Sequence, residues 1–463
     1  MKHQRKFDVA AAAAAALLNA SAGLAQPLAS RDFRLARDAE AVADVTAGCA
    51  RCDWGAAGRE AVALVLSVDG AYSQHLLLTR GERPVEYRVM LGHLPAGRHH
   101  LQIDRDAQRS APGAGAVTFG RIDVQSFASD APEYGWLSRA PFLKARPGSV
   151  ERFSDAPLVM YAEQHVQGES GKPYQIQYTV IFTNEDGGTP TDRLMATWGR
   201  TTDIEFIYGL TDPGPDAQAS EEIQAAGHKW IPFQGPRVGT HPVLWVATDN
   251  NMVADHGPEE VVRFAPAPQL VSLAGTSREA VMDANPWMYA VTSAEMVREG
   301  RIDAAAQAGS GRIPDPRRYA TLEACGEVHD ATLAFDIGVR RGRGTRGARG
   351  TGGTGGSQDD IEWFATDRGE SRFRIARGGC FRGGTPLPEG VSPADVVALR
   401  VRAYTRPPRE GETPLPPGSG RVVLTRINRV FMLDERFVPA ASSIRWTGSL
   451  SVPTDGSPVE IPR

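Results

Sequence analysis

The chain has 463 residues, of which 41% are hydrophobic and 23% are charged. This composition is ordinary for a globular protein and excludes disorder as the general state of the chain. The formal net charge of −4 argues against a nucleic-acid-binding protein that relies on overall positive charge. The 49 Gly and 33 Pro residues favour short strands and turns over long helices.

The first 25 residues have the pattern of a secretory signal peptide. Lys2, Arg5 and Lys6 precede the apolar run VAAAAAAALL, and small residues then lead to Ala25. A basic start, a short apolar core and small cleavage residues are typical of export signals. We therefore expect a mature chain that begins near Gln26 and is exported to the periplasm or beyond the cell. Because no apolar run is long enough to span a bilayer, we expect no transmembrane segment.

Export favours oxidised cysteines, and the chain has four. Four cysteines permit three disulfide pairings. We favour Cys49–Cys52 together with Cys325–Cys380, because each bridge then stays within one predicted domain.

Residues 30–130 show short runs of alternating apolar residues divided by Gly, Pro and Asp. Val85, Tyr87, Val89 and Leu91 fall on one strand face, as in a half-buried antiparallel strand. The stretch from Tyr87 to Ile103, with its Leu-x-x-Gly corner, resembles the late strands of immunoglobulin-like or fibronectin-type modules. We expect a β-sandwich of that kind here.

Residues 135–310 are predicted to form a central β-sandwich followed by two helices. The predicted strands cover 156–166, 174–184, 201–210 and 241–250. Capping boxes that begin at Thr276 and at Thr292 predict the two helices.

Residues 315–463 again contain strand-like runs and are predicted to form a third sandwich. An Arg-Gly-rich loop, 339–358, interrupts them; such repeats cannot bury a core. The loop is either a solvated hairpin extension or a contact for anionic envelope polymers. The whole chain is thus predicted to be mainly β, with three tandem antiparallel β-sandwich domains and a few short helices.

Two carboxylates lie one residue apart in the central strand TTDIEFIYGL. Asp203 and Glu205 share one strand face while Ile204 and Phe206 share the other. Two like charges side by side are costly to bury without compensation. Three interpretations remain open: the pair binds a cation, pairs with an arginine, or faces water.

The segments QIQYTVIFTNEDG, WGRTTDIEFIYGL and THPVLWVATDNN, within residues 175–255, resemble two related groups of β-sandwich proteins. One is the vacuolar-protein-sorting-associated family; the other is the necrosis-inducing secreted proteins with a GHRHDWE heptapeptide. Gly199, Asp203 and Glu205 match the heptapeptide, whereas Arg200 replaces its first His, and its second His and its Trp are also missing. The resemblance implies a sandwich fold and a divalent cation, Ca²⁺ or Mg²⁺, held by Asp192, Asp203 and Glu205. It also implies a membrane-active, cytolysin-like function as one alternative.

A second polar cluster follows the predicted strand 241–250. His241, Asp249, Asp255 and His256 are candidate ligand-binding residues, although Asp-Asn-Asn is also an ordinary turn sequence.

No motif of a nucleophile with its base, a phosphate-binding loop or a nucleotide-binding turn appears. The sequence therefore favours a non-enzymatic, monomeric exported binding protein for a cell-envelope glycan or an anionic polymer. Trp198, Trp230 and Trp245 are candidate sugar-stacking residues. The enzymatic alternative is a divalent-metal-dependent hydrolase centred on Asp203 and Glu205.

Overall fold

The computed structural model describes residues 27–168, 171–212, 219–340 and 361–462. This part of the chain is mainly β, with antiparallel sheets and short helices, which confirms the predicted fold class. No helix among these residues is long and apolar enough to cross a membrane. The predicted signal peptide and residues 341–358 of the Arg-Gly-rich loop lie outside the described residues.

The N-terminal sheets have the strand orders β1-β6-β3-β4 and β5-β2-β7. Their strands are β1 (Ala29–Leu35), β2 (Ala39–Cys49), β3 (Ala63–Val68), β4 (Ala71–Leu77), β5 (Val85–Leu94), β6 (Gly97–Asp106) and β7 (Val117–Phe127).

The central sheets have the orders β13-β12-β11-β10-β9-β18 and β14-β15-β8-β17, with β16 paired to β15. Their elements are α1 (Tyr134–Leu137), β8 (Phe142–Lys144), β9 (Pro157–Gln167), β10 (Pro173–Phe182), α2 (Thr191–Trp198), β11 (Ile204–Thr211), β12 (Glu221–Ala225), β13 (Lys229–Pro232), β14 (Arg237–Val238), β15 (His241–Val246), β16 (Val253–Ala254), β17 (Arg263–Phe264), β18 (Gln269–Leu270), α3 (Ala280–Ala284) and α4 (Trp287–Arg298).

The C-terminal sheets have the orders β22-β19-β24-β25, with β26 paired to β24, and β21-β20-β23-β27. Their strands are β19 (Tyr319–His329), β20 (Ala331–Arg340), β21 (Ile361–Ala365), β22 (Gly379–Pro386), β23 (Val396–Thr405), β24 (Arg421–Leu433), β25 (Pro439–Ala441), β26 (Trp446–Val452) and β27 (Val459–Glu460).

The long central strands form where the apolar alternation predicts them. β9 and β10 begin and end within two residues of the predicted limits, whereas β11 and β15 are shorter than predicted. Two pairings depart from the antiparallel rule, because β15 runs parallel to β8 and β18 runs parallel to β9.

The two helices after the central sheets begin at other residues than the capping boxes predict. α3 ends before Asn285-Pro286, as expected, but it begins at Ala280 with Glu279 at its N-cap, and α4 begins at Trp287 rather than near Thr292. Pro286 stands at the N-cap of α4, where a missing backbone N–H costs nothing. Helix α2 lies just before β11, and the sequence patterns did not predict it.

One continuous hydrophobic cluster runs through the N-terminal and central sheets, for example from Val42 and Leu64 to Val180 and Leu244. The C-terminal sheets enclose a separate cluster around Phe335. The predicted domain limits stay predictions, but the first two regions share their interior.

Two disulfides are present, Cys49–Cys52 and Cys325–Cys380, which confirms the predicted pairing. The second joins directly opposed residues of β19 and β22.

Candidate functional site

The acidic pair of β11 does not lie on a solvated face. Asp203 and Glu205 are 2% and 6% exposed, and Ile204 and Phe206 on the opposite face are also buried. The face of Ile204 is covered because α3 and α4 pack against this end of the central sheet. The pair therefore needs compensation from within the protein.

The compensation comes from Arg200, which is itself buried. Its Nη1 lies 3.7 Å from Asp203 Oδ1, and its Nε donates to Glu279 Oε1 at 3.2 Å. Asn251 Nδ2 donates to the other oxygen of Asp203 at 3.2 Å. Of the three interpretations of the pair, this geometry fits the ion pair with an arginine.

The turn at Gly199 places Arg200 beside Asp203. Gly199 ends α2 with a φ of 64°, and its backbone N–H donates to Met195 O. A β-carbon at this residue would lie 2.8 Å from Thr321 Cγ2 of β19. Glycine is therefore required both for the left-handed conformation and for the close approach of the C-terminal sheet.

The carboxyl groups of this cluster differ: the pKa values of Glu205 and Glu185 are raised, whereas the pKa of Glu279 is lowered. The pKa of Glu279 is lowered because Arg200 and neighbouring arginines outweigh its burial. Burial, followed by the charge of Asp203, raises the pKa of Glu205 well above its usual range. The same two causes raise the pKa of Glu185 to about 7. A protonated Glu205 hydrogen-bonds to Asp203, so the two side chains share a proton rather than two full charges.

Asp192, the third predicted cation ligand, has other partners. It lies in the first turn of α2 and accepts a hydrogen bond from Gly309 N at 2.6 Å. Among the residues that the structure describes, no group of three or more His, Cys, Asp or Glu side chains could hold a metal ion. The positive charge beside Asp203 and Glu205 is a guanidinium, which fits poorly with a divalent cation at the same place. Metal binding stays a prediction from the resemblance.

His241 is fully buried between the N-terminal and central sheets. Its Nε2 lies 3.0 Å from Glu40 Oε2, its Nδ1 lies 2.8 Å from Ala140 O, and its ring stacks on Phe142. Glu40 also contacts His93, whose side chain is 39% exposed. These bonds join two sheets and leave no ring nitrogen of His241 for a ligand.

Of the other three candidates, Asp249 and His256 are exposed and Asp255 is half-buried, and each has a partner of its own. Asp249, 68% exposed, pairs with Arg146 at 2.8 Å. Asp255 accepts from Gln234 N at 2.9 Å and lies 2.8 Å from His256 Nδ1, and the His256 side chain is 72% exposed. Such hydrogen bonds are typical of an ordinary turn. Among the described residues, none of the partners of Asp249, Asp255 or His256 is also a partner of His241.

The three candidate stacking tryptophans already contact other residues of the protein. Trp245 is buried, and Trp230 packs on Phe206 at 4.5 Å between ring centroids. Trp198 is half-buried, with Arg377 at 3.3 Å from its ring centroid and Arg278 at 4.9 Å.

A cleft of about 450 Å³ lies between the N-terminal and central sheets. We call it the interdomain cleft. Its walls come from β4 and β5 on one side and from β9, β17 and the start of α4 on the other; they include Arg80, Glu86, Tyr87, Leu158, Asn285 and Trp287. This volume is within the range of small-molecule sites in proteins.

The two sides of the cleft are held at a fixed distance by hydrogen bonds. Met90 N donates to Ala265 O at 2.8 Å, and Ala265 N donates to Gln74 Oε1 at 3.0 Å. Gln74 is fully buried and also donates to Met90 O. The cleft is therefore a preformed feature of the packed sheets and not a gap between loose domains.

Helix α4 is held against the N-terminal sheets in a similar way. Trp54 Nε1 donates to Glu295 Oε2 at 2.8 Å, and Arg298 Nη1 donates to Trp54 O at 2.7 Å. These contacts place Trp287, the first residue of α4, at the cleft wall.

Arg80 and Trp287 are the most distinctive pair of the cleft. The guanidinium carbon lies 4.3 Å from the Trp287 ring centroid, a cation–π contact. Arg80 N donates to Tyr87 Oη at 3.1 Å, and Arg80 Nη1 donates to Glu86 O at 3.2 Å. Burial raises the pKa of Tyr87 to about 12, so its hydroxyl stays protonated at neutral pH.

Sequence reasoning missed this pair because nothing local marks it. Arg80 precedes an ordinary turn, and Trp287 follows Asn285-Pro286, which signals only the end of a helix. The alternation of Val85, Tyr87 and Val89 is the sole relevant signal, and it indicates a strand rather than a cleft wall.

No protein-family model matches the chain, and no curated protein matches it significantly.

Proposed function

We propose that the chain is an exported binding protein whose interdomain cleft holds a glycan unit. The observation that carries the proposal is the preformed cleft itself, with an aromatic ring and aliphatic walls below and polar groups at its rim. Small-ligand sites combine apolar and aromatic walls with placed polar groups, and the lining of this cleft contains both.

A sugar ring matches these surfaces. Its C–H faces pack on aromatic and aliphatic side chains such as Trp287 and Leu158, and its hydroxyls both donate and accept hydrogen bonds. The rim offers Gln269 and Arg88, which are exposed, and the half-buried Asn285. Amide groups both donate and accept, as recognition of hydroxyls requires.

Burial distinguishes the cleft from the site that the hydrolase and cytolysin alternatives require. Those functions depend on Asp203 and Glu205, which are buried against Arg200. A substrate or a lipid head group would have to displace packed side chains to reach them. The cleft supports the binding function because its rim is exposed.

The two disulfides and the signal-like N-terminus support export.

A glycan array of neutral and uronic-acid oligosaccharides, followed by calorimetric titration of the strongest binder, tests the proposed function. We expect Trp287→Ala to weaken binding at least tenfold, about 1.4 kcal/mol, because it removes the aromatic wall. Trp363→Ala is the matched control: Trp363 is also half-buried under an arginine, Arg400 at 3.8 Å, but lies in the C-terminal sheets. An array without binders, or binding that Trp287→Ala leaves intact, would reject the proposed function.

A further inference from the structure

Arg80 brings a positive charge into the cleft wall without an ion-pair partner among the described residues. No Asp or Glu oxygen of the described residues lies within 4.0 Å of its guanidinium. The guanidinium donates to the backbone carbonyl of Glu86 at 3.2 Å. Two other arginines with little exposed side chain, Arg382 and Arg402, each contact two carboxylates.

The surroundings of Arg80 do little to replace its lost water. Burial lowers the pKa of Arg80, and the neighbouring Tyr87 and Glu86 only partly oppose that effect. The Trp287 ring covers one face of the guanidinium. A partly desolvated cation with spare N–H donors is a recognition element for an anion of matching geometry.

The other charged groups of the cleft wall are occupied or exposed. Arg88 lies 3.4 Å from Asp44, and His75 lies 3.1 Å from Asp106. The Glu86 side chain is exposed at the rim. Among the charged groups of the cleft wall, Arg80 is therefore the one whose charge a bound ligand can best balance.

We propose that the cleft selects an acidic glycan, with the carboxylate of a uronic-acid unit paired to Arg80 and its ring lying against Trp287 and the aliphatic wall. This inference rests on the proposed glycan-binding function and specifies its ligand class. Carboxylate fits the guanidinium through two parallel N–H···O hydrogen bonds, which a hydroxyl cannot form.

Calorimetric titration with digalacturonate and with its dimethyl ester tests the inference, because the two probes differ in charge but share their rings. We expect the acid to bind the wild-type protein at least tenfold more tightly than the ester. We also expect affinity for the acid to fall between 50 and 500 mM NaCl while affinity for the ester stays constant.

Arg80→Gln should abolish the preference for the acid, so that acid and ester bind the variant with similar affinities. Arg80→Lys keeps the charge but loses the paired donors, so a reduced preference should remain. Arg400→Gln, beside Trp363 in the C-terminal sheets, is the matched control and should change neither affinity. Circular dichroism would establish that each variant is folded.

The outcomes separate the two proposals. Equal binding of acid and ester to the wild-type protein would overturn the acidic-glycan inference and leave the glycan-binding function standing. Loss of acid and ester binding alike in Arg80→Gln would also overturn the inference, because Arg80 would then only support the wall. Absence of binding by both probes would overturn the inference, and the array would decide separately whether the proposed function stands.

Discussion

At the scale of single residues, Asp203 and Glu205 show how a strand can hold two carboxyl groups away from water. Arg200 lies beside Asp203 on one side, and the proton of Glu205 hydrogen-bonds to Asp203 on the other. The pair therefore carries less charge than its composition suggests. Arg200 is in turn tied to Glu279, so the cluster extends from β11 to the start of α3.

The proton on Glu205 leads to a prediction about pH. The folded pKa of Glu205 lies above its unfolded value because of burial and Asp203. As pH rises above about 4.5, the unfolded state ionises first, so the free energy of unfolding should fall until the folded pKa is passed. Glu205→Gln mimics the protonated side chain, including its hydrogen bond to Asp203. The variant should therefore lack the decrease in the free energy of unfolding that ionisation of Glu205 causes.

Urea unfolding at intervals between pH 4 and pH 8 measures the effect. At pH 4 the free energy of unfolding of the variant should differ from that of wild type by less than about 1 kcal/mol. As pH rises toward 8, the variant should become steadily more stable relative to wild type. Glu389→Gln, at an exposed position, is the control and should follow the wild-type profile. A constant difference between Glu205→Gln and wild type across this range would contradict the shared-proton arrangement.

At the scale of elements, the C-terminal sheets are joined by a covalent bond between neighbouring strands. β19 pairs with both β22 and β24, and Cys325 faces Cys380 across the β19–β22 ladder. Because β22 is an edge strand, it has a hydrogen-bonded partner on one side only. The disulfide ties this edge to the centre of its sheet.

The two disulfides should stabilise the protein unequally. Cys325–Cys380 closes a separation of 55 residues, whereas Cys49–Cys52 closes a separation of 3. On the chain-entropy account, the longer closure contributes about 4 kcal/mol and the shorter about 2 kcal/mol. Replacing both cysteines of a pair with alanine should therefore lower the free energy of unfolding more for Cys325 and Cys380. Equal losses in urea unfolding would show that strand packing, rather than loop closure, dominates.

At the scale of the whole molecule, the central helices meet the C-terminal sheets through a buried ionic cluster. Arg382 of β22 is fully buried and donates to Glu323 Oε2 at 2.7 Å, to Asp283 Oδ1 at 3.2 Å and to Tyr289 Oη at 3.1 Å. Burial opposes ionisation of Glu323, but Arg382 and hydrogen bonds outweigh it and hold the pKa of Glu323 at about 2. This contact is therefore strongest above pH 4.5 and weakens as pH falls toward 2.

Arg382→Met should destabilise the protein by about 3–5 kcal/mol, because the buried Glu323 would lose its nearest cation and keep, among the described residues, only Arg429, at 3.9 Å. Arg421→Met is the control. Arg421 lies on β24 and pairs with Glu327 at 2.8 Å, but both side chains are more than half exposed, so the loss should be below about 1 kcal/mol. Similar decreases in the free energy of unfolding for the two variants would show that the buried cluster stabilises the protein no more than a surface ion pair does.

Much of the architecture follows from local pattern. The alternation in residues 156–166 and 174–184 is enough to predict β9 and β10, because a period of two places one face inside. The short α2 escapes such reasoning, since its eight residues Thr191–Trp198 are too few to show a helical period. For the candidate site, the sequence predicts the proximity of Asp203 and Glu205 but not the distant Glu279 and Asn251 that bond to Arg200 and Asp203.

By itself, the sequence determined the mainly β fold class and the shared face of the acidic pair, since these depend on neighbours along a strand. It favoured the disulfide pairing without determining it, because four cysteines permit three pairings. Only the tertiary structure decided that this pair is buried against Arg200 and that Arg80 meets Trp287 in a cleft. Such contacts join residues far apart in the chain, and burial depends on what covers a face, which periodicity does not encode. The positions of functional side chains therefore follow from how the sheets pack together.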